Sequence, residues 1–324
     1  MTEWVSPMTT LTGNLAKARR GLSPGGRGGA RVRSRTLKSQ TRFTFSAMLI
    51  PSVVLLVLIN GYPLVYAGIQ ATHNGSLIEP GDFVGLDNFA TILTSDAFWN
   101  AARFTLVFTV VGVFGSWAVG LALALLLRTT IPGRGIFKVL LLLPWIVPIV
   151  VSSTAWNWLV ATPDSPMPAL LGALGLGKPL FLADPTLAAI TVCVFKVWVS
   201  FPFMMMMSSG ALASVDDTLY EAASIDGASR YQQFTQITLP LIARPTYISW
   251  ILMTVFCVND FPTIYLLTTG GPVDATTSLV VYAYRTVFQD FRTGPGVAVA
   301  FLMTLTLVLV STMLYRQIRR AHVE

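Results

Sequence analysis

Charge is scarce in this sequence: Asp, Glu, Lys and Arg make up 11% of the 324 residues, while 53% are hydrophobic. Soluble domains carry about 25% charged residues, so this balance excludes an ordinary water-soluble fold and predicts an integral membrane protein. Cysteine and histidine are almost absent, with two of each. Cys193 and Cys257 fall in apolar stretches, where a thiol acts as a small hydrophobe and reports nothing about redox compartment. His73 and His322 are far apart without metal-ligand spacing, so no metal site is expected. No G-x4-G-K-[ST] occurs. The glycine run Gly25 to Gly29 lacks the strand, lysine and helix of a phosphate-cradling loop, so the chain is not expected to hydrolyse ATP itself. Ser, His and Asp are too scattered for a nucleophilic triad, no carboxylate pair suggests glycosidase chemistry, and no catalytic residue is assigned.

What is present is cation at one end and long apolar runs. Lys17, Arg19, Arg20, Arg27, Arg31, Arg33, Arg35, Lys38 and Arg42 all precede the first apolar run, and net charge is +7. Residues 1–42 read as a basic, disordered cytoplasmic tail beside anionic lipid headgroups; without aromatic interleaving, nucleic acid is not an expected partner. Six stretches reach the ~20 apolar residues that cross the hydrocarbon layer: 43–70, 101–127, 136–160, 187–213, 242–268 and 296–315. The first is too long for a signal-peptide core and lacks a small-residue cleavage site. The expected fold is therefore all-α, with six transmembrane helices over 43–320. Arg128, Arg134, Lys138, Arg230, Arg244, Arg316, Arg319 and Arg320 fall on the side of the tail, whereas the opposite loops hold only Lys178, Arg285 and Arg292. The positive-inside rule then makes both termini cytoplasmic.

Ser116, Gly120 and Ala124 recur every four residues, a spacing that lets transmembrane helices pack closely. Pro144, Pro148, Pro202 and Pro262 interrupt the helical hydrogen-bond ladder, which membranes tolerate only where neighbours or a cavity satisfy the freed groups. Kinks on three stretches hint at a pathway. Met204 to Met207 are consecutive and point around a helix, so they read as packing material.

Between the fourth and fifth stretches lies a polar segment, 214–240. Thr218 with Glu221 and Ser229 with Gln232 have capping-box spacing, and Gly227 sits where a C-cap glycine ends a helix. The segment predicts helix, sharp turn, helix. Ala222 and Ala223 leave little side-chain bulk, while Glu221 and Asp226 offer charge to a partner. The run Glu221-Ala222-Ala223, then Gly227, then Ile237, Leu239 and Pro240 resembles the E-A-A-x3-G-x9-I-x-L-P loop of permease subunits of binding-protein-dependent ABC importers. The resemblance implies that Glu221, Ala222, Ala223, Asp226, Gly227, Ile237, Leu239 and Pro240 form a cytoplasmic coupling helix and its exit, seated on a separate ATPase subunit.

Phe83-Val84-Gly85-Leu86-Asp87-Asn88-Phe89, Phe201-Pro202-Phe203-Met204-Met205 and Leu267-Thr268-Thr269-Gly270-Gly271-Pro272 resemble motifs of carbohydrate-importer permeases of the type that pairs with a second, different permease. Together the motifs cover the chain from about residue 43 to its end. The resemblance implies a bacterial inner-membrane subunit whose partners are that second permease, two ATPase subunits and an extracytoplasmic solute-binding protein. ATP and Mg would bind the ATPases, leaving no cofactor on this chain. It also implies that Val199, Ser200, Phe203, Phe256, Asn259, Asp260 and Thr263 line the path of a carbohydrate or polyol. Hydroxyl-rich ligands need amide, hydroxyl and carboxylate partners, and an aromatic face covers the apolar face of a sugar ring. Ser200 and Thr263 have a simpler alternative, a bond to their own helix backbone.

Counted inward from 187 and 268, Lys196 and Asp260 lie at similar depth, on the order of 12 to 14 Å at 1.5 Å per residue. Two readings stand. They form an ion pair that gates the site, or Lys196 snorkels outward and Asp260 bonds to sugar hydroxyls. A gradient-driven secondary transporter or channel is the alternative function, and the E-A-A segment argues against it because such a carrier has no need of a docking helix. Midmembrane ionisable residues likewise disfavour a purely structural scaffold.

Overall fold

The computed structural model describes residues 30–76, 79, 81–129 and 132–320, with side chains described from Met48 to Arg316 within them. It divides into two units, one ending at Val65 and one spanning Tyr66–Glu324. The first is the greater part of helix α1 (Ala30–Ala71), apolar from Met48 onward. The expected tail thus lies partly outside the described residues, and its last stretch, 30–42, continues α1 as helix.

In the second unit the last turns of α1 lead into a two-residue antiparallel ladder, β1 (His73–Asn74) with β2 (Asp82–Phe83), followed by α2 (Asp87–Leu93). Helix α3 (Asp96–Val110), a π-helical turn (Val111–Gly115) and α4 (Ser116–Leu126) run on as one apolar span. Then come α5 (Arg134–Ile146), α6 (Ile149–Val160), α7 (Pro166–Ala173) and the long α8 (Pro185–Ala213). Short helices α9 (Asp217–Ile225) and α10 (Arg230–Gln232) lead through a second π-helical turn (Gln233–Thr238) into α11 (Leu239–Val258). The chain closes with α12 (Phe261–Thr268), α13 (Leu279–Phe288) and α14 (Thr293–Arg320).

Among the described residues five helical runs are long and apolar enough to cross a membrane: 48–71, 96–126, 185–213, 230–258 and 293–316. Two expected spans differ. The third is not one helix, because α5 and α6 meet at 91°. Pro148 has no N–H to continue the ladder and biases Val147 toward extended backbone, where it lies at φ −66°, ψ 132°. The fifth begins earlier, at Arg230, and ends at Val258, so 261–268 is a separate helix. Pro262 falls in the first turn of α12, where a missing N–H costs nothing, rather than kinking a continuous helix.

Helix α8 is central. Asp184 caps it by accepting from Leu187 N at 2.8 Å, and Pro185 opens it. Ser116, Gly120 and Ala124 are buried where α4 runs along α8. A Cβ at Gly120 would stand 2.6 Å from Met205 N and 2.8 Å from Met204 C, so only glycine permits this approach. Met204 and Met205 fill the two core clusters flanking α8, with Phe108, Phe195 and Met253 in one and Leu121, Leu212 and Ile242 in the other.

Two motif segments prove to be braces. Asn88 is buried and its amide donates to Ala71 O at 2.9 Å and His73 O at 3.0 Å, tying α2 to the end of α1. Past α12, Thr277 Oγ1 donates to Gly270 O at 2.9 Å, and a Cβ on Gly270, at φ 93°, would meet that hydroxyl at 2.6 Å.

Candidate functional site

Both departures from continuous helix open onto one cavity of about 420 Å³, with α8 passing behind them. Irregular backbone at membrane depth is tolerated where it lines a cavity, and both breaks do so: Val147 and Pro148 on one wall, Asn259 and Asp260 on the other. Lys196, Ser200 and Thr263 add polar groups to the lining, Trp145 and Phe256 aromatic ones and Val199 an aliphatic one.

Lys196 Nζ donates to Asp260 Oδ2 at 2.6 Å, and the two side chains are only 6% and 9% exposed. Asp260 is also the N-cap of α12, accepting from Thr263 N at 3.1 Å through Oδ1 and from Thr263 Oγ1 at 2.8 Å through Oδ2. Three donors therefore satisfy the carboxylate, the condition under which a buried charge is held. The lysine ammonium also stands 5.9 Å from the Phe108 ring centroid. Gly112, in the first π-helical turn, makes room for this arrangement: a Cβ there would meet Cys257 Sγ at 2.8 Å and Lys196 Cγ at 3.2 Å. The depth count from residue 268 assumed one straight helix, which the break at Asn259 removes.

The remaining residues expected along the solute path divide. Val199, Ser200, Phe256, Asn259, Asp260 and Thr263 reach the cavity; Phe203 does not. It lies behind the wall, stacked on Trp145 at 5.3 Å between centroids and edge-on to Phe256 at 5.9 Å. Thr263 bonds to the Asp260 carboxylate rather than to its own helix backbone. Ser200 is fully buried and its Oγ has no hydrogen-bond partner. Asn259 is exposed, its amide donating to Val255 O at 2.9 Å. Trp145 went unrecognised in the sequence, although Pro144 and Pro148 on either side of it were the signal.

The polar segment folds as helix, turn, helix. Thr218 and Glu221 do not make the expected capping box, because α9 starts earlier with Asp216 as its cap. The backbone N–H of Thr218 donates to Asp216 Oδ1 at 3.0 Å, and this bond holds the exposed Asp216 carboxyl below its ordinary value. Ser229 and Gln232 do form a capping box. At the turn Gly227 has φ 81°, Ala228 N donates to Ala223 O at 2.9 Å and Gly227 N to Ser224 O at 3.2 Å, a Schellman closure. Glu221, Ala222, Asp226 and Gly227 are exposed and Ala223 half-buried; Ile225 is 87% exposed. Ile237 sits in the second π-helical turn, while Leu239 and Pro240 open α11. Two links were not foreseen: Tyr220 Oη lies 2.9 Å from Thr238 Oγ1, and Arg128 pairs with Asp217 while lying over the Tyr220 ring at 4.8 Å.

A broken-helix cavity inside a helical membrane fold, with an exposed capped helix between its long spans, is the anatomy of a transport permease. The chain belongs to the family of binding-protein-dependent transport system inner membrane components, which matches residues 23–322. It is 34% identical over 278 residues to a probable ABC transporter permease of Sinorhizobium fredii, covering 85% of this chain and 90% of that one. It is 31% identical to the trehalose/maltose transport system permease MalF of Thermococcus litoralis, covering 84% and 92% of the two chains. With the trehalose transport system permease SugA of Mycobacterium tuberculosis it shares 32% identity over 84% of this chain and 88% of that one. In fold it matches a chain of a bacterial ABC transporter involved in import of the acidic polysaccharide alginate, at TM-score 0.74 and 23% identity over 88% of this chain and 99% of the other.

Removing one member of the buried pair strands the other. Lys196→Met or Asp260→Asn alone is expected to cost about 3 to 5 kcal/mol, and the double variant markedly less than the two costs added. Thermal unfolding in detergent measures this; strictly additive losses would show that the two charges do not depend on each other.

Proposed function

We propose that this chain is one of two different permease subunits of a sugar importer of the bacterial inner membrane, crossing it six times with both termini in the cytoplasm. The lysine and arginine asymmetry between loops supports the orientation, and counting the bent α5–α6 pair as one span brings the five straight candidates to six. Energy comes from a pair of separate ATPase subunits that bind ATP and Mg, since this sequence has no phosphate-cradling loop. An extracytoplasmic binding protein delivers the solute.

In this reading α9 is the coupling helix. Its exposed face, Glu221, Ala222, Ile225 and Asp226, presents small, apolar and acidic groups to a groove on the ATPase, and the Tyr220–Thr238 contact ties it to the turn that feeds α11. Motion of the ATPases then reaches the cavity through α11, exposing the site first to one side and then to the other.

The observation that carries the solute assignment is the chemistry of the cavity. Its volume of about 420 Å³ falls in the range of small-molecule pockets. Asn259 offers an exposed amide and Trp145 and Phe256 add aromatic faces, while Ser200 Oγ is an orphan polar atom buried in the wall, which a solute reaches once the ion pair opens. The one lining cation and the one lining carboxylate neutralise each other. Such a lining suits an uncharged carbohydrate or polyol. The ion pair bounds the site and acts as its gate, opening as solute enters. Several relatives carry sugar names, trehalose and maltose among them, which agrees with this choice.

Uptake by the assembled importer in proteoliposomes tests the solute class. Neutral glycosides should compete and their uronate or phosphorylated analogues should not, whereas Asp260→Asn, which leaves Lys196 unneutralised, should shift preference toward the anionic analogues. Equal competition by both classes in the parent would contradict a neutral site. Coupling is tested separately. Gly227→Val forces a β-branched residue to positive φ, at about 1 to 2 kcal/mol, and Glu221→Lys reverses charge on the exposed face. Each should leave the subunit folded yet reduce both uptake and solute-stimulated ATP hydrolysis at least tenfold. Unchanged uptake in both variants would rule out α9 as the coupling element.

A further inference from the structure

A second polar cavity, of about 250 Å³, lies at the end of the fold that carries α9, walled by the end of α4, the start of α5, the end of α8 and the start of α9. Arg128, Arg134 and Lys138 reach it against a single carboxylate, Asp217. Arg128 is already engaged by Asp217 and by the Tyr220 ring. Arg134 and Lys138 take part in none of the ion pairs among the described residues. They stand four residues apart on α5 and so share one face, which gives the cavity an excess of two positive charges.

The surface beside these two cations is apolar. Ile136, Phe137, Val139 and Leu140 are 69%, 51%, 60% and 53% exposed. A helix that presents bare hydrocarbon along its flank and unpaired cations at its start marks the level at which acyl chains give way to headgroups. Ser209 adds a hydroxyl to the cavity wall, and no side chain caps the start of α5.

We propose that this cavity binds the phosphodiester headgroup of an anionic phospholipid, held by Arg134 and Lys138, with the acyl chains lying along the exposed apolar flank of α5. A phosphodiester there also offers Arg128 a second anion beside Asp217, the first residue of α9. Occupancy therefore bears on the tether between α4 and α9. The site stands on charge and geometry alone; only the leaflet, cytoplasmic, rests on the orientation proposed above.

Native mass spectrometry of the full chain in detergent, with dioleoylphosphatidylglycerol and dioleoylphosphatidylcholine as probes, tests the site without requiring transport. Phosphatidylglycerol should be retained in preference to phosphatidylcholine. The double variant Arg134→Gln/Lys138→Gln should lose roughly thirtyfold in affinity for it, the effect of removing two cations near a headgroup. The variant Arg134→Lys/Lys138→Arg should retain binding, and matching melting temperatures show that both variants are folded. Equal retention of the two lipids, or undiminished phosphatidylglycerol binding by the glutamine variant, would overturn the proposal. Displacement of the lipid by saturating inorganic phosphate would identify a soluble-anion site and overturn the lipid assignment.

Discussion

Neither Lys196 nor Asp260 can stand alone in a low-dielectric interior, and the arrangement around the main cavity follows from that constraint. An isolated charge at the centre of a membrane helix costs about 2.5 to 3.5 kcal/mol on insertion scales, so each is stable only with the other in reach. Asp260 reaches Lys196 from the point where α11 has ended and α12 has not begun. The carboxylate thus does two things at once, neutralising the lysine and capping α12 through Thr263. Gly112 and the π-helical turn that contains it leave the space for the lysine stem.

The same pair fixes what the cavity offers a ligand. With the two charges spent on each other and the Thr263 hydroxyl bonded to Asp260, the lining is left with the Asn259 amide, aromatic faces and aliphatic and proline side chains, and with one buried hydroxyl, Ser200, lacking a partner. Orphan polar atoms in a folded interior cost about 1 to 3 kcal/mol, and on the proposed reading Ser200 Oγ, covered in this structure, recovers that cost by bonding to a hydroxyl-rich solute once the ion pair opens. On the proposed reading, displacement of α9 is passed by Tyr220 and Thr238 to the second π-helical turn and then along α11. Because α11 is unbroken from Leu239 to Val258, its movement acts directly on Asn259 and Asp260. On that reading the helix break, the charge pair and the exposed helix α9 are parts of one chain of contacts.

Much of this was legible in residue order, and the parts that were not have physical reasons. Apolar runs marked where the long helices lie because a membrane demands about 20 such residues for each crossing. Gly227 was readable because a Schellman turn needs positive φ. The bend between α5 and α6 was only half readable. Pro144 and Pro148 announced a disturbance, but a proline does not say whether a helix kinks slightly or turns through 91°. Pro262 was misplaced because a proline that interrupts a helix and one that begins the next are alike in sequence. Phe203 and Trp145 show the limit most clearly. Which aromatic faces the cavity and which stands behind it depends on the bend, and so on tertiary packing that no local pattern encodes. The charge of the second cavity likewise needed the fold, since Arg128 and Asp217 are brought together across 89 positions of sequence.

The central claim, that the broken-helix cavity is the solute's passage, is tested most directly by thiol accessibility at Asn259, an exposed residue of the cavity lining. In a background with Cys193→Ala and Cys257→Ala, both of them buried, Asn259→Cys supplies the sole thiol of the chain. The account predicts that, in the assembled importer, a membrane-impermeant thiol reagent labels it from one face in the nucleotide-free state and from the other with ATP bound. It also predicts that a transported sugar slows labelling in both states. Labelling that comes from one face regardless of nucleotide, and is indifferent to solute, would contradict it.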